Sequence, residues 1–250
     1  MNLKISELTS FVARHFPGTR KFISKILVHE NVSGCTYKNI FFPFDKSLMD
    51  SKRLIAIASG SIEFDETYVA KKYFNSDDII IELGSGLGIT SSVLFNTLNP
   101  KRFICFEANQ KAKNYAENLF KINNLNIEIH NLGLGSGKQK TIYLCDDYLL
   151  SSFVKPEKKQ KFSLKKLNTV KINDIIKKFK PTAILCDIEG AEKDYFNPEH
   201  LFGVNKVVIE LHPSIYGKNS QEKIINSFIK EKFTLKKRVN ETYYFLKDIF

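Results

Sequence analysis

The chain has 250 residues, room for one large domain or for a domain with a small appendage. At 43% hydrophobic and 26% charged it has globular composition, which excludes a largely disordered or fibrous chain. Lys and Arg number 38 against 27 Asp and Glu, a net +11. That balance invites an anionic partner or, because the lysines are mostly scattered, a solvated basic surface.

The four cysteines, Cys35, Cys105, Cys145 and Cys186, form no C-x-x-C pair, and two of them sit inside apolar runs. Neither a disulfide framework nor a zinc site is expected, and a reducing compartment is favoured. The N-terminus lacks the apolar core of a signal peptide, and no apolar run reaches the length of a membrane span. The expectation is a soluble, cytoplasmic protein.

Residues 1–58 read as an N-terminal extension. Leu8, Phe11, Val12 and Phe16 recur at helical spacing, Pro17-Gly18 breaks the pattern, and Phe22, Ile23, Ile26 and Leu27 predict a second short helix. Such stripes usually pack on their own domain. Tyr37–Phe44 predicts a strand or strand pair, and 46–58 a helix. Residues 59–250 then carry the main domain. Phe64, Tyr68 and Tyr73-Phe74 mark a helix. After it, strands and helices alternate: Ile79–Leu83 strand, Ile89–Asn96 helix, Arg102–Glu107 strand, Lys111–Ile122 helix, Ile127–His130 strand. Alternation of this kind predicts a parallel sheet covered on both faces.

Residues 145–170 break the rhythm. Lys155–Lys166 holds six lysines and one glutamate, and the stretch reads as an insertion, a loop or lid over the sheet edge. A strand is possible at Thr141–Leu144 just before it. The alternation resumes with a helix at Asn173–Phe179 and strands at Thr182–Ile188 and Lys206–Leu211. Asn219 and Glu222 resemble a capping box opening a helix with Ile224, Ile225, Phe228 and Ile229 inward. Phe233–Arg238 and Thr242–Lys247 predict a closing antiparallel pair.

Three constellations carry chemistry. The first is Asp78–Leu94, an apolar strand with one acid, Glu82, then Gly84, Gly86 and Gly88 at alternate positions, then a helix. This is the first turn of a nucleotide-binding βα unit. Glu107 closes the second strand, where a carboxylate can accept hydrogen bonds from both ribose hydroxyls of an adenosine. The loop is G-x-G-x-G rather than G-x-G-x-x-G, and an acid precedes it. A pyrophosphate would be repelled there, whereas a methionyl ammonium or sulfonium would be attracted. The ligand expected is S-adenosylmethionine, and an NAD-dependent dehydrogenase is disfavoured.

The second constellation, Asp187-Ile188-Glu189-Gly190-Ala191-Glu192, places three acids at the carboxyl end of the fourth strand, the ligand-binding end of an open α/β sheet. The third, Glu210-Leu211-His212-Pro213, ends the fifth strand beside them. His titrates near neutrality and serves as a general base. Asp187 or His212 is the candidate base, with Glu189 assisting. A divalent cation held by Asp187 and Glu189 is an alternative activator.

Together, Gly60-Ser61-Ile62-Glu63, IIIELGSGLGITS, CFEANQKAKNYAENLFKINN, LCDIEGAE and IELHP resemble the FkbM family of S-adenosylmethionine-dependent methyltransferases over residues ~60–212. The resemblance implies a class I methyltransferase fold, α/β and Rossmann-like. Its seven-stranded sheet, in the order 3-2-1-4-5-7-6, is mostly parallel with strand six antiparallel to its neighbours. It also implies O-methylation of a sugar, glycan or other small molecule. Carried over by motif, Glu82, Gly84 and Gly86 would hold the methionyl part, Glu107 and Ala108 the ribose and adenine edge, and Leu132-Gly133 the adenine, with Glu63, Ser85 and Asp187 also expected to bind the cofactor. Ala108-Asn109 stands where the family often has proline after the strand-two acid, and Glu82 where it often has Asp. Two other readings remain open: an RNA methyltransferase using the basic surface, and a non-catalytic domain binding a protein partner through its N-terminal helices.

Overall fold

The structure is a computed structural model and describes residues 32–145 and 162–247. The two predicted N-terminal helices and residues 155–161 of the lysine-rich stretch lie outside those residues.

Two short strands, β1 (Gly34–Tyr37) and β2 (Ile40–Pro43), form an antiparallel hairpin, and helix α1 (Ser51–Ser59) follows. Asp50 starts α1 by accepting a hydrogen bond from the Arg53 backbone N–H at 2.9 Å. Gly60 stops it in the left-handed conformation, at φ 65°, where a Cβ would meet the Tyr37 hydroxyl at 2.3 Å. Helix α2 (Phe64–Tyr73) leads into the sheet.

Then come β3 (Ile79–Leu83), α3 (Ile89–Leu98), β4 (Arg102–Phe106), α4 (Gln110–Ile122) and β5 (Ile127–His130). After a hairpin described below, the chain continues through α5 (Ile172–Phe179), β9 (Ala183–Cys186) and α6 (Glu192–Tyr195). It ends with β10 (Lys206–Glu210), α7 (Pro213–Tyr216), α8 (Lys218–Lys230), β11 (Thr234–Val239) and β12 (Thr242–Leu246). The main sheet runs β5-β4-β3-β9-β10-β12-β11, the 3-2-1-4-5-7-6 order. The reversed strand is the seventh, not the sixth: β12 pairs antiparallel with both β10 and β11, so β11 at the edge points the same way as the parallel strands.

Strand residues alternate strictly between two buried layers. Ile80, Phe103, Cys105, Leu185, Val208 and Tyr244 join the layer under α2, α3 and α4. Ile81, Ile104, Ile184, Val207 and Tyr243 join the layer under α5 and α8. Period two therefore sends Glu82, Glu107, Asp187 and Glu210 all to the first face. The hairpin β1–β2 packs on that face too: Ile40 and Phe42 are fully buried, Tyr115 donates to the Pro43 carbonyl at 2.7 Å, and the Asn123 side chain bonds both backbone groups of Phe41.

The stretch expected to be a lid is in part a strand. β7 (Gln139–Cys145) and β8 (Phe162–Val170) pair antiparallel, and the base of β8 pairs with the short β6 (Gly133–Leu134). Lys165 and Lys166 belong to β8 and not to a loop. The charges conceal a strand whose outer half is exposed on both faces, with only Leu167 and Thr169 buried. The capping box also differs. Helix α8 begins at Lys218 with no side-chain cap and turns Gln221, Ile224 and Phe228 inward, while Ile229 is exposed. None of the described helices is long and apolar enough to cross a membrane.

Candidate active site

The glycine loop leaves β3 pinned from both sides. Gly84 N–H donates to the Phe106 carbonyl at 2.9 Å, and Asp187 N–H donates to the Leu83 carbonyl at 2.9 Å. Two of the glycines make room for other parts of the protein. A Cβ on Gly84 would lie 1.7 Å from the Asp187 carbonyl oxygen, and one on Gly88 would lie 2.8 Å from the Phe120 ring. The loop can thus press against the end of β9 only because residue 84 has no side chain. Gly86 serves the site directly: its N–H donates to Glu107 Oε2 at 2.7 Å.

Around this loop stand three carboxylates, Glu82 and Glu107 buried and Glu63 half-buried. Glu82 accepts a short hydrogen bond from the Ser91 hydroxyl and a longer one from the Cys105 thiol at 3.5 Å. Glu63 sits left-handed before α2 and accepts from the Thr90 N–H at 3.1 Å and the Thr90 hydroxyl at 2.5 Å. Glu107 accepts from Gly86 and, through Oε1, from Asn109 N–H at 2.6 Å. Burial pushes Glu82 up to about 8 and Glu63 and Glu107 each up to about 7; repulsion by neighbouring carboxylates adds to it, from Glu63 on Glu82 and Glu107 and from Glu66 on Glu63. Arg53 eases Glu63 in part. A ligand that brings positive charge would relieve this repulsion.

The loop and strand ends open into a cavity of about 920 Å³ including its mouth. Of the residues expected to hold a cofactor, Glu63, Glu82, Gly84, Gly86, Glu107, Ala108, Leu132, Gly133 and Asp187 all line it. Ser85 does not; it is buried beneath the loop. Thr90, Glu66, Leu134 and Ile142 also line the wall, and the sequence reading passed over them. Thr90 and Ser91 left a trace: TSS is a polar triplet in the first turn of the helix, set between Ile89 and Val93-Leu94, and all three side chains are buried. Ile142 left none, because only the β7–β8 pairing brings it to the cavity.

At the far end lie the strand-four and strand-five motifs. Asp187 and Glu189 line the cavity; His212 stands behind them. The His212 ring is held on both nitrogens. Nδ1 bonds Glu192 Oε1 at 3.1 Å, and Nε2 faces Asp187 Oδ1 at 3.5 Å and Glu189 Oε2 at 3.4 Å. Glu192 is fully buried and also accepts from the Ile188 and Gly190 N–H groups at 3.3 Å each, so it ties the turn as well as the ring. Burial opposes a charge on His212, but Glu192, Asp187 and Glu189 outweigh it and raise its pKa. Burial, then Glu189 and Glu210, raise Asp187. Glu210 is raised by burial and by a hydrogen bond with Glu66. Among the described residues, one group mixes donors at metal-binding separation: Asp187, Glu210 and His212, with ligand atoms within 4.8 Å of one another. Glu189, expected to share a cation with Asp187, is not in that set.

The family model described as the methyltransferase FkbM domain matches residues 82–235, more than half of the chain. Methyltransferase FkbM from Methylobacillus flagellatus KT superposes with a TM-score of 0.51 at 14% identity, over 98% of this chain and 62% of that one. A methyltransferase from Pyrococcus furiosus gives 0.49 at 13% identity over 93% and 98% of the two chains. TYW2 from M. jannaschii, solved in complex with AdoMet, gives 0.47 at 14% over 87% and 85%. No curated protein matches the chain.

Proposed function

Since the chain belongs to the FkbM methyltransferase domain family, we propose that it methylates a hydroxyl group of a sugar, glycan or other small neutral acceptor, with S-adenosylmethionine as donor. One observation carries the reading: two buried carboxylates, Glu82 and Glu107, and the half-buried Glu63 crowd the glycine loop of a cavity that continues to further carboxylates at the strand ends. S-adenosylmethionine supplies a methyl group on a sulfonium, so that its transfer to oxygen leaves a neutral thioether. Glu82 and Glu63 would face the cationic methionyl end, and the sulfonium relieves the repulsion that burial imposes on them. Glu107, held in place by backbone N–H groups of Gly86 and Asn109, would take the ribose hydroxyls. Leu132, Gly133 and Leu134 form the apolar wall for the adenine.

The acceptor enters at Asp187 and Glu189. Its oxygen must approach the methyl carbon to about 3 Å and lose a proton as the new C–O bond forms. The proton goes to one of these two carboxylates. His212 has Nδ1 tied to Glu192 and stands behind them, so it positions the pair rather than taking the proton. Acidic walls (Glu63, Glu66, Asp187, Glu189) repel phosphates, which favours a neutral polyol over RNA although the chain is basic overall.

Calorimetry tests the donor site. Glu107→Ala should weaken S-adenosylmethionine binding by roughly ten- to a hundredfold, by deleting charge-assisted hydrogen bonds; unchanged affinity rejects the assignment. Incubation with labelled donor and a panel of glycans, lipids and RNA tests the acceptor, and label in RNA alone would overturn the polyol reading. Glu189→Gln and Asp187→Asn should each lower turnover by about a hundredfold or more while the protein still binds donor.

A further inference from the structure

We propose that Asp187, which lines the acceptor end of the cavity, forms a divalent-cation site with Glu210 and His212 behind it, taking a first-row transition ion of the Mn²⁺ class in preference to Ca²⁺. This rests on the methyltransferase reading only for its purpose; the site itself is argued from its donors. Asp187 closes β9 and Glu210 closes β10, neighbouring parallel strands with Ile209 in register with Cys186. Period two sends both carboxylates to the same face, and His212 follows two residues later. Ligand atoms from the three lie within 4.8 Å of one another. An ion holding each at about 2.0–2.2 Å needs them about 3 to 4 Å apart, so a small contraction suffices.

Two further observations point to a ligand. Asp187 Oδ1 is shut off from solvent yet accepts no hydrogen bond, and it faces His212 Nε2 at 3.5 Å. A buried carboxylate oxygen left unmatched in this way is costly unless something occupies it. The imidazole is also preset. Glu192, fully buried, takes the Nδ1 side at 3.1 Å and leaves Nε2 pointing into the cluster. A carboxylate behind the ring and a cation before it is the usual arrangement of a metal-binding histidine.

The donor set chooses the metal. Two carboxylates alone would suit Mg²⁺ or Ca²⁺; an imidazole beside them shifts preference toward Mn²⁺, Fe²⁺ or Zn²⁺. Coordination by only three protein groups leaves positions open for the acceptor oxygen. Bound there, a hydroxyl becomes acidic enough to give its proton to Glu189, which lines the cavity and lies outside the ligand set. The methyl carbon then leaves sulfur for that oxygen, and the proton stays on Glu189 until solvent removes it.

The test is a titration of Mn²⁺ into the chelator-treated protein without donor or acceptor, read as loss of the free-ion electron paramagnetic resonance signal. One saturable site is expected, weakened at least tenfold in Glu210→Gln and in His212→Gln. Glu189→Gln should bind Mn²⁺ as the unaltered protein does while losing turnover. Donor affinity by calorimetry and the thermal midpoint check that each variant is folded. No saturable site up to millimolar Mn²⁺, or a site that both ligand variants leave intact, overturns the proposal. Because donor binding is measured separately, loss of the cation site leaves the methyltransferase reading standing, and loss of donor binding with Mn²⁺ retained rejects that reading alone.

Discussion

Glu82 shows how a residue can cost stability and provide function at once. Its carboxyl is buried against Ser91 and Cys105 and titrates at about 8 instead of the ordinary 4.5. The folded state therefore holds its proton more tightly than the unfolded chain does. Stability from this source is full below about pH 4.5 and is lost as pH rises toward 8. Glu63 and Glu107 act in the same direction up to about 7. Glu82→Gln should thus raise the thermal midpoint of the ligand-free protein at pH 8 by several degrees and flatten its decline between pH 5 and 8, while weakening donor binding. A midpoint scan over pH with and without donor checks both halves. Gly84 sets the opposite limit. With a Cβ 1.7 Å from the Asp187 carbonyl and φ at +83°, Gly84→Ala should cost about 3 kcal/mol or more, measured by denaturant unfolding. The sequence announced Gly84 as a ligand-facing glycine. Its actual neighbour, the backbone of a strand 100 residues away, could not be seen there, because spacing says that a side chain is unwelcome without saying what would collide with it.

At the scale of elements, the parallel strands and their helices were legible because each carries a period: two apolar faces in the strands, one apolar stripe in α4. The carboxylates at the strand ends were legible for a related reason, since open α/β sheets bind ligands at one edge. The β7–β8 hairpin was half legible: Thr141–Leu144 read as a possible strand and lies within β7, but β8 did not, because its outer residues are exposed on both sides and lysines masked what alternation remained. Yet Ile142 brings this hairpin to the cavity wall. Ile142→Asp should raise the apparent KM for donor several-fold with a smaller change in kcat, since it alters the wall and not the reacting groups. The β1–β2 hairpin docks differently, by a polar clamp. Asn123 accepts from Phe41 N–H and donates to the Phe41 carbonyl, both at 2.8 Å. Asn123→Ala should lose about 1 kcal/mol in denaturant unfolding, with donor affinity unchanged.

Over the whole molecule, charge is divided by location. The chain carries +11, while the cavity collects Glu63, Glu66, Glu82, Glu107, Asp187 and Glu189. A cationic donor is therefore drawn to the mouth more strongly as these groups ionise. Donor affinity should climb from pH 6 to about 8, the range over which Glu63, Glu107 and Glu82 lose their protons. Calorimetry at a series of pH values checks the direction, and a flat profile would mean the trio does not face the ligand's charge.

The reversed strand has a consequence for how the molecule assembles. β12 lies between β10 and β11, and it supplies Tyr243 and Phe245 to one buried layer and Tyr244 to the other. Until residues 242–246 are in place, β10 presents a bare hydrophobic edge and neither layer is sealed on that side. A chain emerging from the ribosome can form the glycine loop and its parallel neighbours early. It stays adhesive along β10 until residues 242–246 have followed, so chaperone demand and aggregation during synthesis should concentrate in the interval between β10 and β12.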